Sequence, residues 1–474
     1  MNKLRKIITQ IEPEQFNEFE ESLKGTNSVK FISLLHAYKK GSLNDDEIKE
    51  DLKCTDNSYY VLKSRLYDKI QRFLLDNHHT SASVNGSNDQ LRNLSNYIYE
   101  HPLETAVAML KELENTYINS DSPGELINVY SALKKAHFYS DKYYHYSQLY
   151  NNQVAYALAL EKAEETLCNY NRTLASYYFS ASQDDADLLL LLIKEIKNLY
   201  SLYRSPRIEI IYNIILVQSA LFAKLEIEEV APVEDLLERS EAIINQFNSD
   251  NRTGIYKPVI NFLNFEYYLI LNQIKKANTY YTEIDKHFQK WLLQNNICLA
   301  FKFLSSKIDF LIITNRKEEI SSLAGNLYYD ANDLHTHVMY KFYQGLTLYF
   351  SGKTKNSITL LNDLLNEVSF KNYFTVETEI KLMLAYLYII QDEIELADNI
   401  LKGLSRKVSS IGGDNFKNVK EAVKLMYLIS DGLDKKNAKV KYNDTLDQLN
   451  YYNFKGRKIL SFLNHELESL GSKK

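Results

Sequence analysis

One spacing constrains this chain more than any other feature. From Val338 to Leu404 a small residue is followed by a bulky one three positions on. A small one comes nine further, and a bulky one four beyond that: Gly345, Leu348, Ser357 and Leu361, then Ala385, Tyr388, Ala397 and Leu401. The same offsets fit Leu94, Tyr97, Ala106 and Leu110, and again Phe265, Tyr268, Ala277 and Tyr281. In all four places nine residues separate a bulky side chain from a small one. The simplest object that needs this is a hairpin of two helices crossing closely. The small residue lets the second helix approach the first, and the bulky residues fill the groove between them.

Composition supports long helices. Only 6 prolines and 14 glycines occur in 474 residues, far below the ordinary usage of about 5% and about 7%. Sheet-rich folds need those residues at their turns. A single core stops growing near about 250–300 residues, so the chain is either several domains or an elongated stack. The 37 tyrosines against one tryptophan suit half-buried helix seams whose hydroxyls reach water. A net charge of −5 argues against a general nucleic-acid binder, although residues 401–474 hold 15 basic and 8 acidic side chains. Three distant cysteines, Cys54, Cys168 and Cys298, fit a reducing cytoplasm rather than a disulfide framework. Glu12 and Glu14 cut the N-terminal apolar run far short of a signal peptide, and the apolar run Leu188–Leu192 is flanked by acids, so no membrane partner is expected.

Periodicity divides the chain into residues 1–78, a small helical domain; 79–90, a polar small-residue linker; 91–439, helical hairpins; and 440–474, capping helices. Long helices are expected over Glu125–Tyr139, Tyr146–Phe179, Asp184–Leu202, Ile208–Leu225 and Pro232–Phe247. A hairpin of Ile297–Thr314 and Lys317–Tyr329 follows.

Leu384-Ala385-x-x-Tyr388 with Ala397-x-x-x-Leu401, and Gly345-x-x-Leu348 with Ser357-x-x-x-Leu361 and Gly352 at the turn, resemble the tetratricopeptide repeat family. The tryptophan-like position and the closing proline of that family are absent, and the last two hairpins are 40 rather than 34 residues apart. The resemblance implies an all-α, right-handed superhelical α-solenoid of TPR-like hairpins with a small N-terminal helical domain. It further implies a concave face lined by Phe262, Glu266 and Leu269; Phe342, Leu346 and Tyr349; and Glu379, Leu382, Tyr386 and Ile389. Such a face suits a peptide or partner helix, and the function expected is a non-enzymatic interaction scaffold in the cytoplasm.

The alternative is a transcriptional regulator. Residues 45–52 followed by the helix at 57–76 have a helix-turn-helix outline, and Arg65, Lys69 and Arg72 share a face of the second helix. Asp68 sits among these cations, and residues 1–80 balance 13 basic against 13 acidic groups, which weakens phosphate neutralisation. No phosphate-binding Gly-rich loop, His-Glu-x-x-His, Cys-x-x-Cys or nucleophile elbow occurs, so no catalytic residue, metal or cofactor is expected. His335 and His337, two apart on a helix, diverge too far to share a metal.

Overall fold

The structure, a computed structural model, describes residues 4, 5, 8, 11, 13–23, 29–40, 45–80, 98, 103–227, 231–246, 254–293, 297–324, 333–411, 416–432, 438–455 and 461–473. All regular elements among them are helical. The chain divides into two compact units, Met1–Val154 and Ala155–Lys474. The linker expected at 79–90 lies outside the described residues except for its first two positions.

The first unit holds α1 (Pro13–Leu23), α2 (Val29–Lys40), α3 (Asp45–Asp51), α4 (Asp56–Thr80), α5 (Leu103–Asn119), α6 (Pro123–Ala136) and the start of α7 (Lys142–Ser180). The apolar faces of α1–α4 meet in one core of Phe16, Phe19, Leu34, Leu35, Ile48, Leu66 and Ile70. Tyr38 and Tyr59 bury their rings there and satisfy each other's hydroxyls at 2.9 Å. A separate core under α5 and α6 contains Leu110, Tyr117, Val129, Tyr130 and Leu133, with Tyr146 from α7.

The second unit begins within α7 and continues through α8 (Gln183–Tyr203), α9 (Pro206–Gln218) and α10 (Val233–Gln246). Ser182 caps α8 by accepting a hydrogen bond from the Asp185 amide at 3.1 Å. Helix α9 is buried over most of its surface, with seven buried Ile, Leu and Val side chains in its core. Its continuation, expected to stay α-helical to Leu225, loosens into a π turn at Ser219–Ala223. Ser219 bonds back to the Ile215 carbonyl at 2.7 Å and pairs with the Tyr170 hydroxyl at 2.6 Å, which draws the local ladder out of register. The stretch Pro206–Ala223 is long and apolar enough to cross a membrane, but 78% of it is buried inside the protein, the position of a core helix.

Next come α11 (Lys257–Ile270), α12 (Ile274–Leu293), α13 (Ile297–Ile313), α14 (Leu334–Phe350), α15 (Thr354–Glu367), α16 (Phe374–Ile390), α17 (Ile394–Ile411), α18 (Lys417–Ser430), α19 (Ala438–Lys455) and α20 (Ser461–Lys473). Between α13 and α14, Lys317–Ala324 is a 3₁₀ helix rather than the α-helix expected from Lys317. Arg316, immediately before this helix, pairs bidentately with Glu319 in its first turn at 2.6 and 2.7 Å.

The hairpins α11–α12, α14–α15, α16–α17 and α18–α19 are the most closely packed neighbours. The small-residue rule is visible at Gly345, where an added Cβ would lie 2.7 Å from Leu361 Cδ2. Its hairpin partner Ser357, fully buried, donates to the Gly345 carbonyl at 2.7 Å. The turns repeat as well. The amides of Gln273, Arg316, Lys353 and Glu393 return to the carbonyls of Tyr268, Leu311, Leu348 and Tyr388 at 2.9, 2.7, 2.9 and 2.9 Å. The residue before each donor, Asn272, Asn315, Gly352 or Asp392, is left-handed. The same helix stop occurs in the first unit at Lys53 and Asp121, where the amides of Cys54 and Ser122 return to the carbonyls of Lys49 and Tyr117 at 3.1 and 3.0 Å. Leu94 and Tyr97, of the earliest expected hairpin, lie outside the described residues, while Ala106 and Leu110 are fully buried.

Candidate functional site

The ten residues expected on a concave face come from α11, α14 and α16. Nine of them are buried, and Tyr349 is half-buried. Their own chain covers them. Phe262 meets Phe222 and Phe303 at ring distances of 5.9 and 6.0 Å, and Glu266 faces Lys302 of α13 at 3.4 Å. Glu379 accepts from the Tyr178 hydroxyl, near the end of α7, at 3.1 Å. Leu269, Phe342, Leu346, Leu382 and Ile389 sit in the same continuous core.

Tyr349 and Tyr386 are brought together, and what they hold is a helix. Their hydroxyls are 2.8 Å apart, and Glu466 of α20 places Oε2 2.7 Å from Tyr349 and 3.2 Å from Tyr386. Two hydroxyl protons serve three contacts. The shorter pair takes precedence, so Tyr349 donates to the carboxylate and Tyr386 donates to Tyr349, with a bifurcated share for Glu466. Lys317 closes the other side, donating to Glu466 Oε1 at 2.7 Å. Leu463 and Leu467, three before and one after the acid, are buried on the same side of α20. Tyr442 of α19 donates to the Leu467 carbonyl.

Burial would raise the Glu466 carboxyl, but Lys317 and the tyrosine hydroxyls outweigh it and hold the acid below its usual range. Burial, the neighbouring hydroxyl and the carboxylate push Tyr349 far above the ordinary phenol value. Burial and the same carboxylate raise Tyr386. Both hydroxyls therefore stay protonated as donors. The arrangement is a carboxylate receptor flanked by apolar surface, suited to an amphipathic helix that carries one acid within its apolar stripe.

Lys317 and Glu466 are the members that periodicity does not nominate. The available signal is Leu463-x-x-Glu466-Leu467, an acid flanked at helical spacing by leucines, where a purely structural stripe would be apolar.

The second expected group lies on α4. Arg65 is exposed, and Lys69 places its ammonium 5.7 Å from the Phe31 ring centre. The Arg72 side chain lies outside the described residues. The two histidines part company. His335 packs edge-on against Phe179 at 4.7 Å, and His337 faces Glu367 at 3.7 Å. Among the described residues no three His, Cys, Asp or Glu side chains are placed to hold a metal ion. Compared with known proteins, the chain matches no family model, no curated protein and no solved structure.

Proposed function

We propose that this chain is a non-enzymatic, cytoplasmic protein-interaction scaffold, a right-handed solenoid of TPR-like hairpins whose inner face takes up an amphipathic helix. The observation that supports the reading is the seating of α20. The acid of α20 occupies the tyrosines of α14 and α16 that family resemblance nominates for a partner, while the helix itself packs against α13, α18 and α19. A partner helix offering the same chemistry competes with α20 for Tyr349, Tyr386 and Lys317. The terminal segment then acts as an internal placeholder whose release exposes the seat.

The test uses the full chain as bait for affinity purification and mass spectrometry from its native cells, in three forms. Glu466→Lys repels Lys317, frees the seat and leaves its tyrosines intact, so partner recovery should rise above wild type. Tyr349→Ala with Tyr386→Ala destroys the seat, so the same partner should disappear. An identical set of co-purified proteins from all three forms would defeat the reading.

A further inference from the structure

The most distinctive unassigned feature of the first unit is a solvent-open surface concavity of about 440 Å³ between α2 and the start of α4, with Lys30, Asn57, Ser58, Val61 and Arg65 exposed at its rim. Its polar lining consists of Lys30, Cys54, Asn57, Ser58 and Arg65, and contains no carboxylate. Phe31, Val61 and Leu62 supply an apolar wall.

The charge balance of this cavity differs from that of its surroundings. Lys49 is paired with Asp46 and Asp56 at 2.9 Å each, and Lys63 with Asp45 at 2.8 Å. Lys39 donates to the Ile11 carbonyl at 2.9 Å. Lys30, in contrast, has only the Cys54 thiol, at 3.7 Å, among the described residues. Arg65 has no carboxylate within ion-pair distance among the described residues. Two exposed cations from different helices thus line one concavity with no carboxylate paired to either among the described residues. A guanidinium fork, an ammonium, a hydroxyl and a carboxamide are the donor set that phosphoryl oxygens take. The volume exceeds what a bare phosphate needs and falls within the range of small-ligand sites, and the apolar wall suits an organic remainder.

From this we infer that the cavity between α2 and α4 binds a phosphoryl group, gripped by Lys30 and Arg65 with Ser58 and Asn57, and carried by a molecule whose apolar part rests on Phe31 and Val61. The inference stands independently of the scaffold reading, since it concerns a different unit and none of the same residues.

Cys54, half-buried at the cavity, serves as a built-in reporter. The full chain is treated with iodoacetamide, and alkylation is followed cysteine by cysteine by mass spectrometry at fixed ionic strength. Calorimetric titration of the same samples gives a readout that does not need the thiol. Adenosine monophosphate in the millimolar range should slow Cys54 alkylation more than five-fold, leave Cys168 unchanged and give saturable heats. Inorganic phosphate should do the same less strongly, because it forgoes the apolar wall. Arg65→Gln and Lys30→Gln, checked for folding by circular dichroism, should each abolish the protection. A short DNA duplex identifies the other source of the group. If the duplex protects at lower concentration, with steep salt dependence, the phosphoryl belongs to a nucleic-acid backbone. If only the nucleotide protects, it belongs to a small molecule. Equal protection by chloride at matched ionic strength, protection that survives in Arg65→Gln, or absence of both protection and heat with all three probes overturns the proposal.

Discussion

Replacing Glu466 by glutamine keeps the shape of the side chain and removes its charge, which isolates the polar part of the α20 seat. In the native protein the carboxylate receives a charge-assisted bond from Tyr349 at 2.7 Å and an ion pair from Lys317 at 2.7 Å. A hydrogen bond to a charged acceptor contributes about 1.5–3 kcal/mol and one to a neutral acceptor about 1 kcal/mol, so that bond alone loses about 0.5–2 kcal/mol. Lys317 is 45% exposed, and solvent screening limits its pair to about 0.5 kcal/mol. The leucines at 463 and 467 are untouched. The seat should therefore weaken by about 2 kcal/mol, about 30-fold in the ratio of docked to released α20. Native-state hydrogen exchange of the amides in 461–473, followed by mass spectrometry, measures that ratio directly. Tyr349→Phe should produce a smaller change, about ten-fold, because Tyr386 can swing its proton from Tyr349 to the carboxylate. If exchange in Glu466→Gln stays within two-fold of wild type, the hydrogen-bonded acid does not retain the helix and the leucines alone do. If Tyr349→Phe costs more than Glu466→Gln, the assignment of protons within the network is wrong.

Other outcomes follow from the same geometry. The Glu466 carboxyl is held below its ordinary value of 4.5, so its contribution is fully present above that pH and fades as pH falls through the depressed value. The difference in melting temperature between wild type and Glu466→Gln, open at pH 6, should close progressively below about 4.5. Gly345→Ala inserts a methyl 2.7 Å from Leu361 Cδ2, which is buried between two helices. The overpacking cost of about 1–3 kcal/mol exceeds the gain of about 0.5–1 kcal/mol from removing a helical glycine, so the melting temperature should drop by a few degrees. A rise would show that the α14–α15 crossing yields more easily than its packing implies. Gly352→Ala places a side chain at φ +76° and should cost about 1 kcal/mol in denaturant titration. The same substitution at Gly124, which lies in α6 and where an added Cβ meets nothing within 4 Å, should stabilise by up to about 0.5–1 kcal/mol.

The helices were legible because their cause is local. The spacing that links Gly345 to Ser357 and Leu361 is a packing requirement written in consecutive sequence, and the structure meets it with a hydrogen bond and a van der Waals contact between those residues. The turns were half legible. Gly352 advertises its left-handed backbone, while Asn272, Asn315 and Asp392 adopt the same conformation with less conspicuous residues. The π turn at Ser219 and the 3₁₀ helix at Lys317 escaped, since each depends on a hydrogen-bond partner or side-chain pairing that apolar periodicity does not register. The ten residues expected on a concave face show the limit most plainly. Periodicity assigns Leu346 or Tyr386 to an apolar face, but it does not say whether a partner, a neighbouring helix or a distant segment covers it. Glu466 lies 80 and 117 residues from the two tyrosines it joins, beyond the reach of any local pattern.

Those separations have a consequence for how the protein is made. Hairpins closed by local contacts can form one after another as the chain leaves the ribosome. The bond between Lys317 and Glu466 spans 149 residues and must wait for α20. Until then the tyrosine pair lacks the carboxylate it holds in the finished protein. On the proposed function, a partner helix synthesised close at hand occupies the seat before α20 exists to contest it. The order of synthesis, and not affinity alone, would then decide which helix a given copy of the protein holds.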